Sequence, residues 1–293
     1  MKVLVTGVKG QLGYDTVNEL EKRGHTAIGV DIEEMDITDA VCVQRVISEI
    51  APDAVIHCAA WTAVDAAEDC RDKVYLVNAM GTENIAKVCK DLDIKMMYIS
   101  TDYVFDGEGI EPWKPDSQDY KPLNVYGESK LAGEQAVVQV LDKYFIVRIA
   151  WVFGLNGNNF IKTMLHVGKK HEKLSVVDDQ IGTPTYTYDL ARLLVDMIET
   201  EKYGYYHATN EGGYISWYDF AKEIFKQASE MGHEEYDANH LTLMSVTTEE
   251  YGVSKAKRPF NSRLDKSKLT EKGFDRLPDW KDALGRYLHS IEF

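Results

Sequence analysis

Short apolar runs alternate with helical patterns through the first half of the chain. The runs cover residues 3–5, 27–30, 54–56, 96–99 and 145–147. Between them, apolar residues recur at helical spacing, for example Leu12 and Leu20, then Val43, Val46 and Ile47. Continuous apolar strands separated by amphipathic helices are typical of a parallel sheet covered on both faces. The pattern therefore predicts an α/β fold with a doubly wound, Rossmann-type parallel sheet.

The pattern loosens in the second half of the chain. Helical stretches are predicted there at residues 190–198 and 217–227, whereas the helix predicted over residues 74–89 belongs to the regular first half. Residues 107–123 and 235–267 are predicted to be long polar connections. We expect a first domain over residues 1–150. Residues 151–293 are expected to form mainly a smaller lobe, with segments that return to the first domain.

Charge and composition narrow the classes of function. The 293-residue chain has a net charge of −15, which disfavours a nucleic-acid partner because no positive field attracts phosphates. No run approaches the roughly 20 apolar residues of a membrane span. The chain starts without a signal-peptide pattern, and its four cysteines contain no Cys-x-x-Cys pair. These features predict a cytoplasmic protein with reduced thiols and no membrane partner.

A glycine-rich loop follows the first predicted strand. Gly7, Gly10 and Gly13 have the spacing Gly-x-x-Gly-x-x-Gly and open the first predicted helix. Glycines at such a place let the backbone turn tightly and approach a pyrophosphate that faces the helix N-terminus. A purely structural turn is the alternative, but the position after the first strand favours a dinucleotide site. Residues 1–150 are therefore predicted to form a dinucleotide-binding domain, and residues 151–293 mainly a substrate-binding lobe.

The second strand ends at an acidic residue. Asp31 lies 18 positions after Gly13, where a carboxylate can accept both hydroxyls of the adenosine ribose and would repel a 2′-phosphate. A helix cap or solvated turn is the alternative for Asp31. Asp36 and Ile37 follow at the expected border of the adenine, with a turn as their alternative. Small residues near Ala60 would let the cofactor cross the sheet edge.

Tyr126 and Lys130 are four residues apart, so they share one face of a helix. A phenol is a poor acid–base group at neutral pH unless a cation stabilises its phenolate, which Lys130 would supply. Such a pair is also common on ordinary solvated helix faces. Thr101, at the end of the fourth predicted strand, favours a catalytic role for the pair, because ligands of parallel sheets lie at the carboxyl ends of strands. Its hydroxyl would bond the substrate carbonyl beside Tyr126.

These residues resemble the extended short-chain dehydrogenases and, more narrowly, the dTDP-4-dehydrorhamnose reductases among them. The similarity runs almost end to end. It includes residues 7–13, 59–65, 100–106, 124–134, 151–153, 157–160, 179–185 and 258–262. The resemblance implies hydride transfer from NADH or NADPH to the C4 ketone of dTDP-4-dehydrorhamnose, a nucleotide sugar, with Tyr126 as the proton donor.

The resemblance also implies roles for individual residues. Thr101, Tyr126 and Lys130 would be catalytic, and Thr101, Asp102 and Trp151 would contact the substrate. The cofactor would be bound by a larger set, namely Gly7, Gly10, Gln11, Leu12, Gly13, Asp31, Asp36, Ile37, Ala60, Trp61, Thr62, Tyr126 and Lys130.

Arg258 ends the densest basic run of this acidic chain, Lys255-Ala256-Lys257-Arg258. A guanidinium group matches the geometry of phosphate oxygens, so we expect Arg258 to contact the substrate diphosphate. A solvated loop is the alternative, above all for the two lysines.

Other functions stay open on the same resemblance, among them that of another nucleotide-sugar reductase with the same fold. A 4,6-dehydratase would carry a second carboxylate after Asp102, but Tyr103 stands there, which favours simple reduction. A 4-epimerase would retain its NAD through each cycle. A non-catalytic regulatory subunit similar to the methionine adenosyltransferase β-subunit would not need Thr101, Tyr126 and Lys130 together.

The sequence gives weaker signals for a bound metal ion and for the oligomeric state. Some members of the resembled family form dimers with a divalent cation near acidic residues. Asp15 fits one such position, but Tyr188 replaces another acid, so no metal is predicted and a homodimer is left open. Asp31 slightly favours NADH over NADPH.

Overall fold

The computed structural model describes residues 1–292. Its strands are β1 (Lys2–Thr6), β2 (Thr26–Val30), β3 (Ala54–His57), β4 (Lys95–Thr101), β5 (Tyr144–Ile149), β6 (Val152–Phe153), β7 (Lys173–Val177), β8 (Ile181–Gly182), β9 (Thr185–Tyr186), β10 (Gly204–His207), β11 (Ile215–Ser216) and β12 (Thr242–Val246). Its helices are α1 (Gln11–Lys22), α2 (Ala40–Ile50), α3 (Val64–Ala67), α4 (Arg71–Tyr75), α5 (Thr82–Asp91), α6 (Val125–Val140), α7 (Phe160–Gly168), α8 (Thr187–Ile198), α9 (Trp217–Glu230), α10 (Thr248–Tyr251), α11 (Ser267–Glu271) and α12 (Trp280–Leu288).

The central sheet is parallel and has the strand order β10-β5-β4-β3-β1-β2. Alternate strand residues point to opposite faces, so Val3 and Val5 pack with α1 and α8, whereas Leu4 packs with α2 and α5. The predicted doubly wound α/β fold is confirmed. The chain runs outward from β1 to β2 and then returns to the other side at β3. The topological switch point, where ligands of such sheets bind, therefore lies between β1 and β3.

The second half contributes to both parts of the molecule. Strand β10 extends the central sheet beyond β5, and α8 packs on α1. A separate apolar cluster joins α7, α9 and α12, with Phe220, Trp280 and Tyr287 among its buried members.

The helix expected over residues 74–89 is confirmed in extent, since the backbone is helical throughout residues 71–91, but it is not a regular α-helix over its whole length. Helix α4 ends at Tyr75, a π-helical turn follows over Leu76–Gly81, and α5 begins at Thr82. The wider turn brings Asn78 into the interior, where its side chain bonds the backbone of Trp61. Apolar periodicity does not reveal this because the residues on both sides of the turn keep helical spacing.

The connection expected over residues 235–267 is also wrong in part. Strand β12 pairs in parallel with β7 from Thr242 to Val246. Helix α10 then begins at a capping box, in which Thr247 and Glu250 bond each other's backbone N–H groups. The Thr-x-x-Glu pattern was a readable signal for this helix start. In contrast, residues 107–123 form a connection with only isolated bridges to other segments.

Candidate active site

A cleft of about 790 Å³ crosses the carboxyl ends of the central strands at the switch point. Its walls come from the segments that follow β1, β2, β3, β4 and β5. Of the residues predicted to bind cofactor or substrate, these line it: Gly7, Gly10, Gln11, Leu12, Gly13, Asp31, Asp36, Ile37, Ala60, Thr62, Thr101, Asp102, Tyr126, Lys130 and Trp151. Trp61 and Arg258 do not.

The glycine loop has no room for side chains. Gly7 has a φ of +71°, and a Cβ there would lie 2.7 Å from the Ala59 nitrogen. A Cβ at Gly13 would lie 2.3 Å from the Gly7 carbonyl oxygen. Gly10 caps α1 without any side-chain hydrogen bond, so the first backbone N–H groups of the helix stay available. This loop can hold an anionic diphosphate against the helix N-terminus.

Asp31 is fixed at the other side of the loop. Its Oδ2 accepts the Lys9 N–H at 3.0 Å, and its Oδ1 accepts the Ile32 N–H at 2.9 Å. A carboxylate has about four acceptor sites, so Asp31 can still accept ribose hydroxyls. Asp36 accepts the N–H and the hydroxyl of Thr38, and this turn lines the cleft beside Asp31.

The segment after β3 is held by a residue that the sequence did not single out. Asn78, 1% exposed, accepts the Trp61 N–H at 2.7 Å and donates to the Trp61 carbonyl at 3.1 Å. Asn78 also donates to the Ser129 hydroxyl on α6 at 2.9 Å. The Trp61 indole packs instead beside Val74 and Val125, away from the cleft wall. Asn78 thus links the cleft-lining segment after β3 to the helix that carries Tyr126 and Lys130.

Lys130 is 2% exposed and tightly anchored. Its Nζ donates to the Ile99 carbonyl at 2.8 Å and lies 4.1 Å from the centroid of the Tyr98 ring. Burial lowers the pKa of Lys130 to about 7. An ammonium in this place can be stabilised further by hydroxyl groups of a bound ribose.

Tyr126 lies one turn before Lys130 on α6. Burial raises the pKa of Tyr126 well above its usual value, and a hydrogen bond with Thr101 opposes the shift. The phenol therefore keeps its proton at neutral pH until a stronger base forms beside it. The ring packs edge-on against Tyr103, with centroids 5.6 Å apart.

Asp102 presents a buried carboxyl group to the same part of the cleft. Its Oδ1 accepts the Thr101 hydroxyl at 2.9 Å, whereas Oδ2 makes no hydrogen bond of normal geometry within residues 1–292, although the nearby Ser262 hydroxyl acts to lower the pKa of this carboxyl group. The Ser100 hydroxyl lacks a partner in the same part of the chain. Burial raises the pKa of Asp102 to about 6. Buried polar atoms are rarely left unpaired, so both atoms are suited to bind hydroxyl groups of a ligand.

The opposite wall carries two tryptophans. The indoles of Trp151 and Trp217 stack with centroids 3.8 Å apart and an interplanar angle of 16°. Both residues line the cleft. The sequence predicted Trp151 but missed Trp217, whose place at the start of a helix resembles an ordinary core position.

Arg258 lies outside the cleft wall, and it already has an acidic partner. Its Nη2 donates to Asp65 Oδ2 at 3.0 Å, and its Nη1 donates to the Tyr103 hydroxyl at 3.3 Å. Asp65 also accepts the Ala256 N–H, so it fixes the loop that carries Arg258. Contact with a substrate diphosphate would use the remaining guanidinium donors.

Asp15 bonds the Thr187 hydroxyl, and burial raises the pKa of Asp15. Residues 1–292 contain no group of three or more His, Cys, Asp or Glu side chains suited to a metal ion. Within the same residues, no helix is long and apolar enough to cross a membrane.

The chain is similar to known proteins along its whole length. The family model described as "RmlD substrate binding domain" matches residues 1–293. The dTDP-4-dehydrorhamnose reductase of Aggregatibacter actinomycetemcomitans is 39% identical over 290 residues, 97% of this chain and 97% of the relative. A dTDP-4-keto-6-deoxy-D-glucose reductase of Streptomyces niveus is 40% identical over 224 residues, 76% of this chain and 77% of the relative. The solved structure of the Bacillus anthracis dTDP-4-dehydrorhamnose reductase, in complex with NADP, has a TM-score of 0.91 and 42% identity. It covers 99% of this chain and 100% of that one.

Proposed function

The chain belongs to the family of the RmlD substrate binding domain, and on this premise we propose that it reduces the C4 ketone of dTDP-4-dehydrorhamnose to give dTDP-L-rhamnose. The observation that carries the proposal is the convergence of Thr101, Tyr126 and Lys130 in one cleft with the glycine loop. Such a cleft brings a nicotinamide cofactor and a carbonyl group to the same proton donor.

Thr101, Tyr126 and Lys130 have different roles in the proposed reaction. When bound, the reduced nicotinamide supplies the hydride that forms the new C–H bond at C4. Thr101 orients the ketone oxygen, and Tyr126 gives its hydroxyl proton to that oxygen, so that the C=O bond becomes C–OH. Lys130 holds the nicotinamide ribose and stabilises the phenolate, which regains its proton from solvent. Acid catalysis of this kind contributes roughly 10²–10⁴-fold in rate.

The cofactor fits the residues that surround the loop. Gly7, Gly10 and Gly13 leave space for the diphosphate, and Asp31 offers acceptors to the ribose hydroxyls. We propose that NADH and NADPH are both used, with NADH preferred. Glu33 and Glu34 follow Asp31, and the nearby Lys9 ammonium is already paired with Glu33, so a 2′-phosphate meets a mainly negative surface.

The substrate is proposed to lie between Asp102 and Trp151, with its diphosphate near Arg258. The Oδ2 of Asp102 suits a sugar hydroxyl beside the ketone. The similarity to the Streptomyces niveus enzyme favours a second candidate, the reduction of a dTDP-4-keto-6-deoxy-D-glucose. The two substrates differ in the configuration of the sugar but undergo the same reaction. Only a direct comparison of the rates with each ketosugar distinguishes them.

The test offers each ketosugar with NADH and, separately, with NADPH, and follows the absorbance of the reduced nicotinamide. We expect fastest oxidation with dTDP-4-dehydrorhamnose. The variant Tyr126→Phe should lose at least about 10²-fold in turnover and keep its affinity for cofactor. Near-normal turnover in that variant would remove Tyr126 from the mechanism. Binding to methionine adenosyltransferase without any reductase activity would instead support a regulatory subunit. A cytoplasmic location and a homodimer stay predictions.

A further inference from the structure

Trp151 has a backbone conformation that tryptophan rarely adopts. Its φ is +52°, in the left-handed region, where residues with a Cβ are strained. Its carbonyl oxygen accepts the Thr185 N–H at 3.0 Å, which fixes the peptide but not the ring. A strained residue of this kind persists only where neighbouring groups hold it.

Trp217 is the group that holds the Trp151 ring. The 3.8 Å stack covers one indole with the other. Gly182 also touches the Trp151 ring, because a Cβ at Gly182 would lie 2.8 Å from Trp151 Cε2. The ring is thus confined by an aromatic face and by a backbone segment that has no side chain.

The position of Trp217 is itself rigid. Ser216 caps α9 in a capping box with Asp219, and its hydroxyl donates to Asp178 Oδ1 at 2.5 Å. Ser216 and Ile215 pair with Ile181 and Gly182 across the β11–β8 ribbon. The two groups that confine Trp151 therefore belong to one small hydrogen-bonded unit.

We propose that Trp217 is a positioning residue for the reduction, which holds Trp151 in place and forms with it the apolar wall against which the hexose packs. This inference rests on the proposed function and adds a residue to it. The C–H groups of a 6-deoxyhexose suit an aromatic wall of two indoles. Without Trp217, the Trp151 ring can rotate out of its place, and the ketone is no longer held beside Tyr126. A misplacement of about 1 Å can cost about 10²-fold in rate.

The test compares Trp217→Leu and Trp217→Phe with Phe160→Leu as a matched control. Phe160 contacts Trp217, with ring centroids 4.6 Å apart, but it does not line the cleft. We expect Trp217→Leu to lower kcat/KM for the ketosugar by about tenfold to 10²-fold, with the Kd for the cofactor unchanged. Trp217→Phe keeps an aromatic face, so its kcat/KM should fall only a few-fold. The kcat/KM of Phe160→Leu should stay near the wild-type value.

A spectroscopic signature separates positioning from general stability. Two stacked indoles couple electronically, so the wild type and Phe160→Leu should show an exciton couplet in circular dichroism that both Trp217 variants lack. Equal losses of kcat/KM in Trp217→Leu and Phe160→Leu, or none in Trp217→Leu, would overturn the proposal. If Trp217→Leu does not fold, the test uses Trp217→Phe alone. A fall in its kcat/KM as large as about 10²-fold would overturn the proposed aromatic wall.

Binding of the product dTDP-L-rhamnose, followed by tryptophan fluorescence, does not require turnover. If the wild type were inactive towards both ketosugars, the proposed function would fail. A weaker affinity of Trp217→Leu for the product would still support the wall, and an unchanged affinity would contradict it.

Discussion

Replacing Asn78 by alanine should weaken both the fold and the active site. The side chain is 1% exposed and makes three hydrogen bonds, two to the backbone of Trp61 and one to the hydroxyl of Ser129. Each bond contributes about 1 kcal/mol net, and a buried donor left without a partner costs a further 1–3 kcal/mol, roughly. Ser129 keeps its bond to the Tyr126 carbonyl, but the Trp61 N–H loses its partner.

The expected loss in the free energy of unfolding for Asn78→Ala is therefore about 4–6 kcal/mol. Urea unfolding measures it as a lower midpoint with an unchanged slope. The control is Asn239→Ala, because Asn239 is exposed and its amide makes one long contact, 3.4 Å to Asp237. That control should change stability by no more than about 0.5 kcal/mol.

Cofactor affinity supplies the second measurement for Asn78→Ala. The segment at residues 60–62 is no longer tied to α6, so the Kd for NADH should rise. A variant within about 1 kcal/mol of the wild type, with unchanged affinity for NADH, would refute the linking role assigned to Asn78.

Three further predictions concern other parts of the site. A Cβ at Gly13 would lie 2.3 Å from a carbonyl oxygen, so Gly13→Ala should raise the Kd for NADH about tenfold or more. The control Gly285→Ala, in α12, should leave the Kd for NADH unchanged, and equal affinities of the two variants in a binding titration would contradict this prediction. Burial lowers the pKa of Lys130 from 10.5 to about 7, so the unfolded chain binds more protons between these values. The free energy of unfolding of the wild type should therefore rise with pH across that window relative to Lys130→Met, and parallel pH profiles would count against it. Arg258→Ala should raise the KM for the ketosugar by roughly tenfold, and Asp65→Ala should raise it less; an unchanged KM in Arg258→Ala would remove Arg258 from the substrate site.

Much of the fold was readable because its signals are local. The parallel strands are continuous apolar runs, and the helices between them have clear amphipathic spacing, so the doubly wound sheet follows from the sequence. The π-helical turn at Leu76–Gly81 was not readable, since it depends on the burial of Asn78 against a distant segment. Strand β12 was missed because it is short and largely exposed, and it is defined by its pairing with β7.

The residues of the candidate site also differ in whether local sequence signals could predict them. Gly13, Asp31 and Tyr126 could be predicted because each occupies a fixed place relative to a strand or helix. Trp217 could not, since its position depends on the fold of the second half, which carries no local motif for a ligand. The ion pair of Arg258 with Asp65 joins residues 193 positions apart, and only the folded chain brings them together.

The central claim is that hydride reaches C4 of a ketosugar while this chain supplies the proton. The most direct measurement uses dTDP-4-dehydrorhamnose with reduced nicotinamide carrying deuterium at the transferable position, and locates the label in the product by NMR. We expect dTDP-L-rhamnose with deuterium at C4 from the wild type and almost no labelled product from Tyr126→Phe. Bound cofactor with no deuterium at C4 in the wild-type reaction would contradict this claim.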